Sequence, residues 1–256
     1  MSIGTPPRAS RHRSSFHGLA ILIAALALAG CTTTLTESHT GGTGTNESIK
    51  LDAANSRVVL MPIDIRVTEL TAAGLEEPKA DWTEAARNNV TAALNTTMAE
   101  HGLTLRQYKK PKGAKRVRRD DQLEKLHSTV GGTILVHHYS QMNRLPTKQG
   151  QMDWTLGRTA RQLGNDQNAE FALFVFMRDS YATSGRKAAM VASTIVGSIL
   201  GTRVAKAGER IGFASLVDLR NGNVVWFNVL YSDTGDIRQT EPAREVVDDL
   251  ISGFPI

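Results

Sequence analysis

The segment Phe171–Met177 reads FALFVFM, seven consecutive apolar residues. Successive side chains of a strand point to opposite faces of its sheet. A strand with no polar alternate position therefore needs cover on both faces, as in the centre of a sheet between two layers. This segment predicts a central buried strand and requires the rest of the chain to supply a layer on each side.

A hairpin and a helix are predicted downstream of the central strand. The segment Ile211–Leu219 alternates apolar and other residues, and Val224–Tyr231 forms a second run of the same type. The connecting Arg220–Asn223 contains Asn-Gly, which is typical of a primed turn between hairpin strands. Apolar residues at helical spacing then predict a closing helix from about Pro242 to Gly253.

The upstream half of the domain predicts alternating strands and helices. Alternation over Val58–Val67 predicts a strand that lies near a sheet edge at Pro62. An Asp81-x-x-Glu84 cap predicts a helix that closes at His101-Gly102, and Asp153 predicts the cap of a shorter helix. Residues 51–256 are therefore expected to form an α/β domain, a layered mixed sheet with packed helices and a C-terminal β-hairpin plus helix.

The first thirty residues have the pattern of a signal peptide. They contain Arg8, Arg11 and Arg13 and no acidic residue, and Leu19–Ala29 is an uninterrupted apolar run. An eleven-residue helix is about 16 Å long, shorter than the ~30 Å hydrocarbon core of a bilayer. Residues 1–30 are therefore predicted to be a secretory signal peptide.

The stretch Leu28-Ala29-Gly30-Cys31 resembles the lipobox of bacterial lipoproteins. That resemblance implies cleavage before Cys31, thioether lipidation of its sulfur and acylation, typically with palmitate, of the new amino terminus. The alternatives are an uncleaved helix or a buried cysteine. Thr32, where an Asp would favour inner-membrane retention, implies an outer-membrane location in the cell envelope with the domain in the periplasm. No cofactor other than this covalent lipid is expected.

Residues 31–50 are predicted to be the lipidated cysteine and a flexible tether. The segment is polar and rich in Gly and Thr, and Leu35 and Ile49 are its only large apolar residues. Such a composition buries too little surface to order a chain.

The order of elements in the domain also resembles known envelope proteins. The segments Val59–Ile63 and Leu216–Trp226 are similar to strand and hairpin segments of the curli-secretion lipoproteins and of the amino-terminal domain of the Tol-system propeller protein. The resemblance implies a periplasmic α/β domain. Pore formation is not implied, because the chain lacks long amphipathic hairpins of about ten alternating residues.

Sequence motifs for catalysis or metal binding are missing. The single cysteine excludes a disulfide scaffold, a Cys-based zinc site and a CxxC redox pair. The predicted mature chain contains His39, His101, His127, His137 and His138, whose spacing does not predict a metal site. No nucleophile elbow, phosphate-binding loop or dinucleotide fingerprint occurs, so neither catalytic nor metal-binding residues are predicted.

A dense basic segment is the first candidate interaction site. Seven positive charges fall within eleven residues: Lys109, Lys110, Lys112, Lys115, Arg116, Arg118 and Arg119. They form either a solvated loop or a contact with an anionic surface, such as lipid phosphates or peptidoglycan carboxylates. Without the first thirty residues 27 basic residues remain against 25 acidic ones, a net charge of +2 that does not favour a nucleic-acid partner.

The second candidate is a ridge of small residues within Arg186–Lys206. Ala, Ser or Gly recurs every fourth residue, at Ala189, Ser193, Gly197, Gly201 and Ala205. On a helix these residues form one face that allows close approach. The face packs either on the domain's own sheet or against a second protomer or a membrane, so a homo-oligomer is one alternative.

Three functions compete at this point. The leading hypothesis is a membrane-anchored, non-catalytic envelope lipoprotein that acts as an assembly, scaffold or interaction component with envelope proteins as partners. The alternatives are an oligomeric secretion or pore-associated component and a cell-envelope hydrolase with a site assembled from distant residues.

Overall fold

A computed structural model describes Met1 and residues 34–40, 49–71, 73, 75–139, 144–183 and 210–256. The strands in these ranges are β1 (Thr34–Thr40), β2 (Val58–Leu60), β3 (Asp64–Leu70), β4 (Glu76–Pro78), β5 (Arg106–Gln107), β6 (Phe171–Ala182), β7 (Arg210–Asp218) and β8 (Asn223–Ser232). The α-helices are α1 (Ala80–Glu100), α2 (Ala114–Ile134), α3 (Ala160–Gln167) and α4 (Thr240–Leu250). A π-helical turn, Leu135–Tyr139, follows α2, and a 3₁₀ turn covers Pro146–Lys148.

The strands form one mixed sheet in the order β1-β8-β7-β6-β2-β5. Strand β3 pairs with the second half of β6, on the same edge that β2 occupies at the start of β6, and β4 pairs with the outer edge of β3. Strands β2 and β3 both run parallel to β6, whereas β7, β8 and β1 pair antiparallel. The predicted α/β fold with a mixed sheet and a C-terminal hairpin plus helix is confirmed.

Strand β6 is the central buried strand that the sequence predicts. Its side chains alternate between two hydrophobic cores: Leu173 and Val175 pack in the core beneath α1 and α4, and Ala172 and Phe174 in the core beneath α2 and α3. Helices therefore cover both faces of the sheet, which explains why the first seven residues of this strand, Phe171–Met177, include no polar position.

The predicted strand Val58–Val67 is divided at Pro62. Leu60 pairs with Leu173 and Asp64 pairs with Phe176, so three residues of one strand face two of its partner. This is the count of a β-bulge. Proline has no N–H to donate to a ladder, and the bulge gives it a position where none is needed.

Seven residues of the segment predicted as a tether, Thr34–Thr40, form the edge strand β1. It pairs antiparallel with β8 from Thr34 opposite Ser232 to Thr40 opposite Trp226. The outer edge of a hairpin strand offers unpaired backbone groups, and a segment rich in β-branched Thr can pair with them despite having little apolar surface. The tether prediction is therefore wrong for these seven residues; residues 41–48 lie outside the described part of the chain.

Two predicted helix starts and one turn type are also corrected. Helix α1 begins at Ala80, ahead of Asp81, and its N-cap Lys79 makes no side-chain cap. Helix α3 begins at Ala160 and not near Asp153, because the preceding residues hydrogen-bond to the β7–β8 hairpin: the Leu156 N–H donates to the Gly222 carbonyl over 2.7 Å. Of the residues in that hairpin turn only Gly222 has a positive φ, so the turn is a four-residue loop and not a two-residue primed turn.

Candidate anion-binding cleft

The basic segment spans the connection from β5 into α2. Lys109, Lys110 and Lys112 lie in the connection, and the other four cations lie in the first two turns of α2. Six of the seven are exposed, and Arg119 is partly buried.

The connection that carries the three lysines is fixed to the domain at two points. The Tyr108 hydroxyl donates to Oδ2 of the buried Asp120 over 2.9 Å. The Gln167 side chain accepts from the Lys109 N–H over 2.9 Å and donates to the Lys109 carbonyl over 2.8 Å. Burial and the Asp120 carboxylate together raise the pKa of Tyr108, so this hydroxyl stays protonated as the donor.

Helices α2 and α3 enclose a cleft of about 610 Å³. Helix α2 contributes Lys115, Arg116, Arg118, Arg119 and Gln122 to its lining, and Thr159 and helix α3 contribute the hydroxyl, amide and carboxylate groups of Thr159, Gln162, Asn165 and Asp166. The cleft thus combines four cations with side chains that donate and accept hydrogen bonds.

Ion pairs occupy two of the cations that line the cleft. Arg119 Nη2 lies 2.6 Å from Oδ1 of Asp120 and 2.8 Å from Oδ2 of Asp166, and Arg116 Nη1 lies 3.6 Å from Oδ1 of Asp166. Burial lowers the pKa of Arg119, but the hydrogen bonds to Asp120 and Asp166 outweigh it and raise the pKa overall. Arg119 is therefore a fixed cation that joins the two helices.

The remaining five cations of the basic segment differ from Arg116 and Arg119 in their ion pairing. Within the described ranges, no carboxylate forms an ion pair with Lys109, Lys110, Lys112, Lys115 or Arg118. Their charge is available to an anionic ligand at the cleft and beside it.

The amino terminus of α2 adds to the positive potential. Its N-cap, Gly113, has φ +98° and offers no side-chain cap, and no acidic residue lies in the first turn. Cations at a helix amino terminus oppose the helix dipole, typically at a cost of about 0.3–1 kcal/mol each. A bound anion reverses the sign of this interaction, because exposed N–H groups and cations then face a negative charge.

A buried Ser–His pair joins α2 to β7. His127 Nε2 lies 2.6 Å from Ser215 Oγ, and the ring stacks on Phe174 with centroids 4.7 Å apart. Both polar side chains are buried in the core. Burial lowers the pKa of His127 to about 3, so the imidazole is neutral. The pair is enclosed in the core and does not reach solvent. A nucleophile and base that act on an external substrate need such access.

A half-buried carboxylate cluster lies beside that pair. Asp64 accepts from Ser128 Oγ over 3.0 Å and pairs with Arg178 Nη1 at 2.9 Å. Burial by itself raises the pKa of Asp64, but the contacts with Arg178 and Ser128 outweigh burial and lower the pKa overall. Burial, with Asp121, Asp120 and Asp64 nearby, raises the pKa of Glu124 to about 7.

Four residues of the basic segment identified in the sequence form the α2 wall of the cleft, whereas sequence reasoning did not identify the α3 wall. Gln162, Asn165 and Asp166 belong to a short helix with no recognisable motif, and only the packing of α3 against α2 brings them to the basic segment. In the sequence these residues only mark the polar face of a helix, and such a face is ordinarily exposed to solvent and does not indicate a binding site.

The other predicted site residues do not join this cleft. Cys31 and the small-residue ridge of Ala189, Ser193, Gly197, Gly201 and Ala205 lie outside the described residues. The histidines are placed on separate elements: His39 in β1, His101 after α1, His127 in α2, and His137 and His138 in the π-helical turn. Among the described residues there is no group of three or more His, Cys, Asp or Glu that could hold a metal ion. The described helices also include none that is long and apolar enough to cross a membrane.

Comparisons with known proteins give no family assignment. No family model matches the chain, and no curated protein matches it. Among solved structures, the chain is similar to the PelC dodecamer from Paraburkholderia phytofirmans, with 13% identity, 86% of this chain and 96% of that chain covered, and a TM-score of 0.37. A variant of the same PelC dodecamer gives 12% identity, the same coverage and a TM-score of 0.36.

Proposed function

We propose that the chain is an envelope lipoprotein, lipidated at Cys31, that acts as a non-catalytic interaction component and binds an anionic ligand in the cleft between α2 and α3. The observation that carries the proposal is a set of five cations without a described carboxylate partner: Lys115 and Arg118 line the cleft, and Lys109, Lys110 and Lys112 lie in the connection that leads into α2. The lipobox resemblance at Leu28–Cys31 supports the anchor, and two or more acyl chains are enough for stable membrane attachment.

The cleft is suited to binding and not to bond cleavage. Asp166, the carboxylate that lines it, is held by Arg116 and Arg119. Its Oδ1 lies against Arg116 and its Oδ2 against Arg119, so both oxygens already have partners and neither is free to act on a substrate. The surrounding amides and cations offer charge-assisted hydrogen bonds, which are the interactions that recognise carboxylate or phosphate groups.

The anchor is tested with Cys31→Ser. Wild type is expected to incorporate radiolabelled palmitate and to stay with membranes in high salt, whereas the variant stays soluble. Lipidation at Cys31 would be contradicted if the wild type incorporated no labelled palmitate, or if the variant still sedimented with membranes in high salt.

The cleft is tested by charge reversal in the full chain. Soluble poly-L-glutamate is the probe, because it carries carboxylates at high density. Lys115→Glu with Arg118→Glu is expected to weaken its binding about tenfold or more, and wild-type binding is expected to weaken as salt shortens the Debye length to about 8 Å at 0.15 M. The matched control reverses Lys50 and Lys125, two exposed lysines that do not line the cleft. An equal loss in both double variants would assign binding to net charge and overturn the proposal.

A further inference from the structure

The register of the sheet fixes which end of the domain lies next to the predicted anchor. Thr34 pairs with Ser232, and Ser232 pairs with Arg210. We call the end of the sheet that holds these three residues the anchor end. Three residue steps from Cys31 to Thr34 span at most about 11 Å. A lipid on Cys31 therefore keeps the anchor end close to the membrane surface, because β1 occupies the segment that a long tether would need.

The opposite end of the sheet lies well away from that point. Strand β6 begins at Phe171, which pairs with Asp218. Seven residues later Arg178 pairs with Ile211, the neighbour of Arg210 at the anchor end. Seven residue steps of a strand span about 23 Å. We call the end at Phe171, Asp218 and the β7–β8 turn the far end.

Helix α3 lies at the far end. The helix is followed closely by the start of β6, and the Ala169 N–H donates to the Gly164 carbonyl over 3.0 Å. A Cβ built on Gly164 would lie 3.0 Å from Cβ of Leu219, in the β7–β8 turn. Close packing on that turn fixes α3, and with it one wall of the cleft, at the end of the sheet remote from Thr34.

The first turns of α2, which form the other wall, lie toward the same end. Asp120 accepts from Tyr108, whose N–H donates to the Leu60 carbonyl, and Leu60 pairs with Leu173 near the start of β6. Later in the helix, Ser128 donates to Asp64, which pairs with Phe176. Helix α2 thus runs from the far end toward the anchor end, and its basic residues are at its far-end start.

The surface chemistry of the two ends agrees with this polarity. Leu75, in the β3–β4 connection, is 66% exposed, and Ile211 is 38% exposed. Leu70, at the base of that connection, pairs with Ala182 beyond the level of Arg178, so Leu75 and Ile211 both lie at the anchor end. The other exposed large apolar side chains described in the domain, Leu126 and Val136, lie in the second half of α2 and in the turn that follows it. Apolar side chains favour the membrane interface, whereas the cationic cleft at the far end remains in water.

We infer that the lipid on Cys31 holds the anchor end against the membrane, so that the α2–α3 cleft faces away from it and binds the peptide carboxylates of peptidoglycan, the cell-wall glycan. This inference rests on the proposed function. The anchoring leaflet is excluded as the ligand because the sheet separates it from the cleft, and the cell-wall glycan is the carboxylate-bearing polymer that an outward-facing cleft meets in the periplasm. The amide and hydroxyl groups of the cleft can form hydrogen bonds with the hydroxyls of a glycan, and the cations of the cleft can bind the carboxylates.

The orientation is tested with the acylated full chain in phosphatidylcholine vesicles that contain a spin-labelled lipid. If Cys31 is acylated through its sulfur, one added cysteine is the single free thiol for a fluorophore. A label at Leu75→Cys is expected to lose most of its fluorescence to the quenching lipid, and a label at Arg161→Cys, on α3, to keep it. Equal quenching at both positions, or stronger quenching at position 161, would overturn the orientation.

The ligand is tested by co-sedimentation with purified peptidoglycan sacculi and separately with phosphatidylglycerol vesicles, without detergent, and every protein compared carries Cys31→Ser so that no acyl chain enters the vesicles. Sacculi are expected to retain the otherwise unchanged chain and the Lys50/Lys125 control, and to retain the Lys115/Arg118 variant about tenfold less. Binding to phosphatidylglycerol alone, lost in the Lys115/Arg118 variant, would overturn the glycan inference and leave the proposed cleft intact. Binding to neither would overturn both.

Discussion

Arg119 and Asp166 join the two helices of the cleft, with Nη2 of the arginine 2.8 Å from Oδ2 of the carboxylate. Their side chains are only 11% and 21% exposed, so the pair is shielded from most solvent screening. The same carboxylate also lies 3.6 Å from Arg116. Asp166 thus limits the positive charge that the cleft presents and holds its two walls together.

Asp166→Asn is expected to strengthen anion binding at a small cost in stability. The variant frees Arg116 and Arg119 to interact with the ligand, and one unit of charge is worth about 1 kcal/mol near a charged surface, or about fivefold in affinity. Titration with poly-L-glutamate at fixed salt measures the change. Glu241→Gln, on α4 and away from the cleft, removes the same charge and is expected to leave the affinity unchanged. Weaker binding by Asp166→Asn would show that the carboxylate positions the site more than it competes with the ligand.

Gly131 and Gly132 are adjacent in α2 but differ in their surroundings. A Cβ at Gly131 would lie 2.1 Å from Cε2 of Phe213, whereas a Cβ at Gly132 meets nothing within 4 Å. Gly131→Ala is expected to destabilise the domain by about 1–3 kcal/mol through overpacking. Gly132→Ala is expected to stabilise it by up to about 1 kcal/mol through helix propensity. Denaturant unfolding of both variants measures the difference, and equal effects would contradict the packing of α2 on β7.

Stability between pH 4.5 and 7 depends on two opposed groups on α2. His127 has its pKa lowered to about 3 in the folded state, so its contribution is complete above about pH 6.5 and is lost as pH falls. Glu124 has its pKa raised to about 7, so its contribution is complete below about pH 4.5 and is lost as pH rises. Asp64 contacts this cluster but titrates below the window, because its pKa is lowered from 3.8.

Glu124→Gln is therefore expected to expose the acid sensitivity that His127 causes. In that variant the free energy of unfolding should fall by up to about 1.4 kcal/mol per pH unit below pH 6.5, and the wild type should show a shallower slope. Denaturant titrations at pH 5, 6 and 7 measure both slopes. The variant His127→Gln is expected to reverse the sign, with stability rising as pH falls, and parallel slopes in all three proteins would contradict the assignment.

The buried pair Arg210–Asp179 is expected to matter far more than an exposed pair. Arg210 Nη2 lies 2.7 Å from Asp179 Oδ2, and both side chains are 3% exposed. Arg210→Met leaves the buried Asp179 without its cationic partner, with hydrogen bonds from Tyr181 and the Ser180 N–H only, and is expected to cost about 3–5 kcal/mol. Arg244→Met breaks an exposed 2.8 Å pair with Glu100 and should cost no more than about 1 kcal/mol. Equal costs would contradict the burial of Arg210.

The parts of the fold that follow local rules could be predicted from the sequence. The first seven residues of β6, Phe171–Met177, are all apolar because two helical layers cover this part of the strand, and the closing helix α4 shows its buried face at helical spacing. The parts that depend on distant partners could not. Strand β1 is polar and exists because β8 offers it a free edge, and the start of α3 is set by hydrogen bonds from residues before it to the β7–β8 hairpin.

The candidate site shows the same division. The basic segment is dense enough to be recognised without a structure, and the structure places it at the start of a helix. Asp166 and Asn165 have no such local signature. They become part of a cleft only because α3 packs on the β7–β8 turn and beside α2, a tertiary relationship that no short motif encodes.

Lysine footprinting shows whether an anionic ligand binds in the α2–α3 cleft. The full chain is acetylated under limiting conditions with and without soluble peptidoglycan fragments, and mass spectrometry measures the reactivity of each lysine. Protection is expected at Lys115 and at Lys109, Lys110 and Lys112 beside it, with Lys50 and Lys125 unchanged. Protection spread evenly over all exposed lysines, or none at Lys115, would contradict binding in the cleft.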